Sequence, residues 1–171
     1  MKRLIPALLL TVFTISCVHS PSHLAAEGWK NFEKQRYQKA AKYFEEAEQR
    51  GYNPPKMRVA LGASYVNLER YDEAIRELSA AAGNDPEAWF LLGNAYYYRD
   101  DYSKAADAYR KAISLKPDHL EAIEALAIIY PDGGVSREEA LRLWKRALEM
   151  EKRDEWITRA QHYIEQLEKT Q

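Results

Sequence analysis

The feature that most constrains this chain is a period of 31 residues. Gly62 recurs as Gly93, Tyr65 as Tyr96, Tyr71 as Tyr102, Ala74 as Ala105, Ala81 as Ala112 and Pro86 as Pro117. Self-similarity at that spacing marks stacked supersecondary units, each too small to bury its apolar face alone. The composition fits helical units. Glycine and proline number seven each, and Ala, Glu, Lys, Leu and Tyr are abundant. The net charge of −1 carries no basic excess that would point to nucleic acid.

The stretch WFLLGNAYYY, residues 89–98, sharpens the reading. A glycine inside a helix costs about 1 kcal/mol against alanine, and three successive tyrosines cannot share one helix face. Trp89, Leu92, Gly93 and Tyr96, followed by Ala105, Tyr109, Ala112 and Pro117, resemble the tetratricopeptide repeat. Leu61, Gly62, Tyr65, Tyr71, Ala74, Leu78, Ala81 and Pro86 form a second copy, with Arg58 in place of a large apolar residue. Two weaker copies flank these. One carries Gly28, Phe32, Tyr37, Ala40, Phe44 and Ala47; the other carries Ile123, Leu126, Ala127, Tyr130, Ala140, Trp144 and Ala147. The resemblance implies an all-α, right-handed solenoid of about four helical hairpins, at 22–54, 55–86, 86–117 and 120–152, within a domain spanning 24–170. A capping helix over 154–168 would close the last core face with Trp156, Ala160, Tyr163, Ile164 and Leu167. Ser136 and Glu139 have the spacing of a capping box, after a turn at Pro131, Asp132, Gly133 and Gly134. Gly62, Ala74, Trp89, Gly93, Tyr96 and Ala105 are the structural repeat positions. Gly93 and Ala105 are expected where the two helices of the hairpin cross, with Trp89, Tyr96 and Tyr109 filling the space around them.

The first residues differ in kind. Lys2 and Arg3 precede a short apolar run and then Ser16 and Cys17, the layout of a secretory signal. Residues 14–17, TISC, resemble the lipobox of bacterial lipoproteins. That resemblance implies removal of residues 1–16, acylation of Cys17 (palmitate included) and a tether over 17–23. It also implies sorting by Val18 to the outer membrane, with the domain facing the periplasm and the inner membrane and cell surface left open. Cys17 is the only cysteine, so no internal disulfide can form.

The family's ligand-facing positions fall on the first helix of each hairpin. They map to Trp29, Phe32 and Glu33; to Lys56, Val59, Ala63, Val66 and Asn67; to Glu87, Phe90, Asn94, Tyr97 and Tyr98; and to Glu121, Glu124 and Ile128. Trp29, Phe32, Val59, Asn67, Phe90, Asn94, Tyr97 and Tyr98 are the candidate partner-binding residues, since Tyr offers large contact area at low entropic cost and Asn can pair with peptide backbone. The alternative for Tyr97 and Tyr98 is packing against neighbouring helices. The basic clamp by which some members hold a C-terminal carboxylate would require Lys, Asn or Arg where this chain has Ala25, Trp29, Ala60, Glu87 and Leu91, and none fits.

No phosphate loop, HExxH or GxSxG motif occurs, and the four histidines are scattered. The expectation is a non-enzymatic protein without cofactor or metal. It would mediate protein–protein interaction in the bacterial envelope, as a scaffold or assembly factor for a complex. A periplasmic chaperone or maturation factor gripping extended segments is the alternative, and self-association remains open.

Overall fold

The computed structural model describes residues 20–151 and 153–169, and over them the chain is helical with no strand. Four pairs come in succession: α1 (Pro21–Glu33) with α2 (Tyr37–Gln49), α3 (Pro55–Asn67) with α4 (Tyr71–Ala81), α5 (Pro86–Tyr98) with α6 (Tyr102–Leu115), and α7 (Leu120–Ile128) with α8 (Arg137–Met150). A last helix, α9 (Asp154–Lys169), follows. Each helix packs on the next, and α1, α3 and α5 also adjoin one another to form a common wall.

Local chemistry sets the helix ends. Pro21, Pro55 and Pro86 open α1, α3 and α5, where a missing N–H costs nothing. Ser20, Asp85, Asp101 and Ser136 accept hydrogen bonds from backbone N–H groups of the first turns that follow them. The first three hairpins turn identically. Gln35, Glu69 and Asp100 sit in the left-handed region, at φ 54°, 59° and 58°. The next residue's N–H then reaches back to Asn31, Tyr65 and Tyr96, at 2.9, 2.9 and 3.0 Å. This helix ending normally recruits glycine.

Each helix pair closes by a large side chain entering the space of a missing one. A Cβ at Gly28 would lie 2.5 Å from the Phe44 ring, one at Gly62 2.5 Å from Leu78, and one at Gly93 2.5 Å from Tyr109 Cδ1. The Tyr109 ring, expected to fill the space around Gly93, is what meets it at the crossing. Ala105 is fully buried in the C-terminal core, and Ala74 in the N-terminal one. Trp89 and Tyr96 are half-buried and not enclosed.

One junction replaces apolar packing with charge. Arg58 occupies the repeat position of Trp89, and Glu77 that of Ala108. Glu77 is 3% exposed. Arg76 donates to its Oε1 at 2.9 Å, while Oε2 makes no hydrogen bond and faces Arg58 Nη1 at 3.7 Å.

The C-terminal helix caps the stack. Ala160 and Leu167 are buried, and the Tyr163 ring stacks on Trp144 at 4.6 Å and 7°. Arg159 pairs with Glu124 at 2.6 Å, and Arg137 donates to the Leu167 carbonyl at 2.6 Å. At the other end α1 begins at Pro21, so residues 21–23, expected in the tether, form its first turn. The leader and Cys17 lie outside the described residues.

Candidate partner-binding groove

The wall made by α1, α3 and α5 encloses a hollow of about 470 Å³. Its stripe from α3 comprises Lys56, Val59, Ala60, Ala63 and Asn67, residues three and four apart on one helix face. Trp29 and Phe32 of α1 close one side, and Leu91 of α5 the other, with Asp85 and Glu87 at the rim. Trp29 is wedged edge-on against Phe44 and Phe32, with ring centroids 5.4 and 6.0 Å apart, so its indole is positioned from below. The floor is apolar. The polar groups stand around it: the Asn67 amide, which donates to the Ala63 carbonyl at 2.8 Å, Lys56, and the two carboxylates.

Four of the eight candidate residues, Trp29, Phe32, Val59 and Asn67, thus meet in one place. The other four line no part of this hollow. Phe90 lies between the Tyr109 and His119 rings, 5.9 and 5.1 Å away. Asn94 accepts a hydrogen bond from the Tyr109 hydroxyl at 2.7 Å, and burial raises the pKa of that phenol, which keeps it a donor. Tyr97 packs among Tyr98 and Tyr102 in the C-terminal core. Tyr98 is 57% exposed and stacks on Tyr71 of α4 at 5.3 Å. Trp89 and Tyr96 face a second hollow of about 420 Å³ between α4 and α6, with Ser79, Lys104 and Lys111 at its edge.

The motif positions did not single out Asp85, which caps α5, and they gave Ala60 and Leu91 only as places where the carboxylate clamp does not fit. The helical period from Lys56 to Asn67 carries the signal for Ala60. For Asp85 the signal is the Asp-Pro pair at a helix start. His119, at the residue before α7, is 3% exposed, with Glu121 at 3.1 Å from Nδ1 and Glu87 at 3.4 Å from Nε2. Among the described residues no group of three or more His, Cys, Asp or Glu side chains could hold a metal ion. No helix there is long and apolar enough to cross a membrane.

Residues 86–119 and 55–87 match the sequence profile of the tetratricopeptide repeat. The chain carries tetratricopeptide repeats. The formate-dependent nitrite reductase complex subunit NrfG of Escherichia coli O157:H7 is 36% identical over 67 residues, 39% of this chain and 34% of that protein. The mitochondrial ALBINO3-like protein 3 of Arabidopsis thaliana is 30% identical over 126 residues, 66% of this chain and 22% of that one. The chain thus spans about a third or less of these relatives' length. Among solved structures, the fragment of MamA from residue 41 to the end, of Desulfovibrio magneticus RS-1, aligns with a TM-score of 0.69 at 24% identity, over 77% of this chain and 76% of that fragment. YrrB, a tetratricopeptide protein with an unusual peptide-binding site, aligns at 0.74 with 22% identity, over 84% of this chain and 75% of YrrB. These likenesses show the shared solenoid fold.

Proposed function

We propose that this protein is a non-enzymatic scaffold or assembly factor that holds another polypeptide of the bacterial envelope in the wall formed by α1, α3 and α5. The observation that carries this reading is the open apolar hollow beneath Trp29, Phe32, Val59 and Leu91 in a tetratricopeptide solenoid. An interaction surface is the function such a wall supports. The names of two relatives support it by analogy, one a subunit of an enzyme complex and the other a protein with a peptide-binding site.

We further propose that Cys17 is lipidated and anchors the chain to the outer membrane on its periplasmic face. The support is the TISC sequence behind a charged and apolar leader. Because α1 starts at Pro21, only three residues separate Cys17 from the first helix. At roughly 3.5 Å each they hold the solenoid against the bilayer.

A photo-crosslinking residue at Val59, compared with one at Lys111 on the outer side, tests the first part. A discrete adduct from position 59 alone is expected; equal labelling from both positions contradicts a groove. Cys17→Ala should move the protein from the membrane fraction to the soluble periplasm, and unchanged fractionation removes the anchor.

A further inference from the structure

The groove has a direction. Over the first two hairpins its surface is apolar, built on Trp29, Phe32 and Val59. At the third it turns acidic. Asp85 and Glu87 border the hollow itself, and Glu87 is 58% exposed with His119 as its close partner. Glu121, 67% exposed, flanks the other nitrogen of the same histidine. Glu124 is already paired with Arg159, whereas among the described residues Lys56 is the one cation lining the hollow. A segment laid along this wall would therefore meet an apolar seat first and an excess of carboxylate next to it.

We propose that the occupant is a stretch of another polypeptide that places a bulky apolar side chain in the hollow and a lysine or arginine within a few residues of it, against Glu87 and Asp85. The inference rests on the groove reading above and adds the chemistry of the partner. It is the reverse of the carboxylate clamp, since Glu87 puts an anion at a position where that clamp has Lys, Asn or Arg. An arginine or lysine opposite Glu87 gains a charge-assisted hydrogen bond at the edge of an apolar cavity, where screening is weaker than on an open surface. An acidic segment meets like charge there, which suppresses the wrong partner. Glu87 and Glu121 also lie in the first turns of α5 and α7, where a carboxylate favours the helix in its own right. The test therefore reads a preference among ligands and not stability.

Three fluorescein-labelled peptides with a common Leu-Trp core, followed by two lysines, two glutamines or two glutamates, serve as probes for the purified full chain by fluorescence anisotropy. The lysine peptide should bind about tenfold or more tighter than the glutamate peptide, with the gap narrowing in high salt. Glu87→Lys should erase or invert the order, and Val59→Gln should weaken all three. Phe32→Ala, with melting followed in parallel, gives a second reading of the hollow should Val59→Gln unfold the chain. If binding depends on Val59 or Phe32 but the three peptides bind equally, or the glutamate peptide binds best, the charge preference is wrong and the groove stands. If no peptide binds, or binding ignores both positions, the groove falls and the partner chemistry with it.

Discussion

Gly93→Ala is the perturbation whose sign most directly tests the packing. In an exposed helix this change stabilises by about 1 kcal/mol. Here the new Cβ would fall 2.5 Å from Tyr109 Cδ1, against an ordinary carbon–carbon contact of about 3.5–4.0 Å. The ring would have to retreat by roughly 1 Å. It is 1% exposed, its hydroxyl is held by Asn94 at 2.7 Å, and Phe90 lies beside it. Overpacking of that kind costs about 1–3 kcal/mol, so after the propensity gain of about 1 kcal/mol the net is a loss of up to about 2 kcal/mol. For a chain of this size that lowers Tm by up to about 4–8 °C. Thermal and urea unfolding of the full chain, followed by far-UV circular dichroism, reads it. In a Tyr109→Ala background the clash is gone, and Gly93→Ala should become neutral or stabilising by up to about 1 kcal/mol. A rise in Tm for Gly93→Ala alone would refute the claim that the glycine exists to admit the ring.

Other expectations follow from the same geometry. Arg58→Ala leaves the buried Oε2 of Glu77 without its cation and should cost about 2 kcal/mol in urea unfolding, whereas the pair Arg58→Trp with Glu77→Ala, which copies Trp89 and Ala108, should recover most of that loss. Glu69→Gly relieves a left-handed backbone at an exposed turn and should raise the urea midpoint, by about 0.5 kcal/mol after the unfolded chain's added freedom is counted. The hydrogen bonds from Arg110 to Glu139, at 2.9 and 3.0 Å, hold that carboxyl below its usual range. A lowered folded-state value means stabilisation that is complete above the ordinary glutamate value of 4.5 and is lost as pH falls through the lower one. Glu139→Gln should therefore reduce stability at neutral pH and flatten its decline on the acid side, as followed by Tm between pH 7 and 3.

Because a period specifies its own contacts, much of this architecture was legible before any coordinates. Gly28, Gly62 and Gly93 recur with Phe44, Leu78 and Tyr109 sixteen residues on, and hairpin, stack and capping helix follow from that spacing with Pro21, Pro55, Pro86 and Ser136 as punctuation. The hydroxyls, amides and charges of the repeat escaped such reading. Asn94 and Tyr97 hold groove-facing positions in the pattern, yet Asn94 pairs with Tyr109 and Tyr97 packs with Tyr102, because a side chain at a given register goes wherever its nearest neighbours offer area or a hydrogen bond. Likewise the sequence shows Arg58 in the slot of a large apolar residue, and only the tertiary structure shows it facing the buried carboxylate of Glu77. Periodicity is a property of one chain's backbone and survives translation along it. The hollow under Trp29, Val59 and Leu91 depends on three helices approaching from different hairpins, a relation that tertiary packing alone decides.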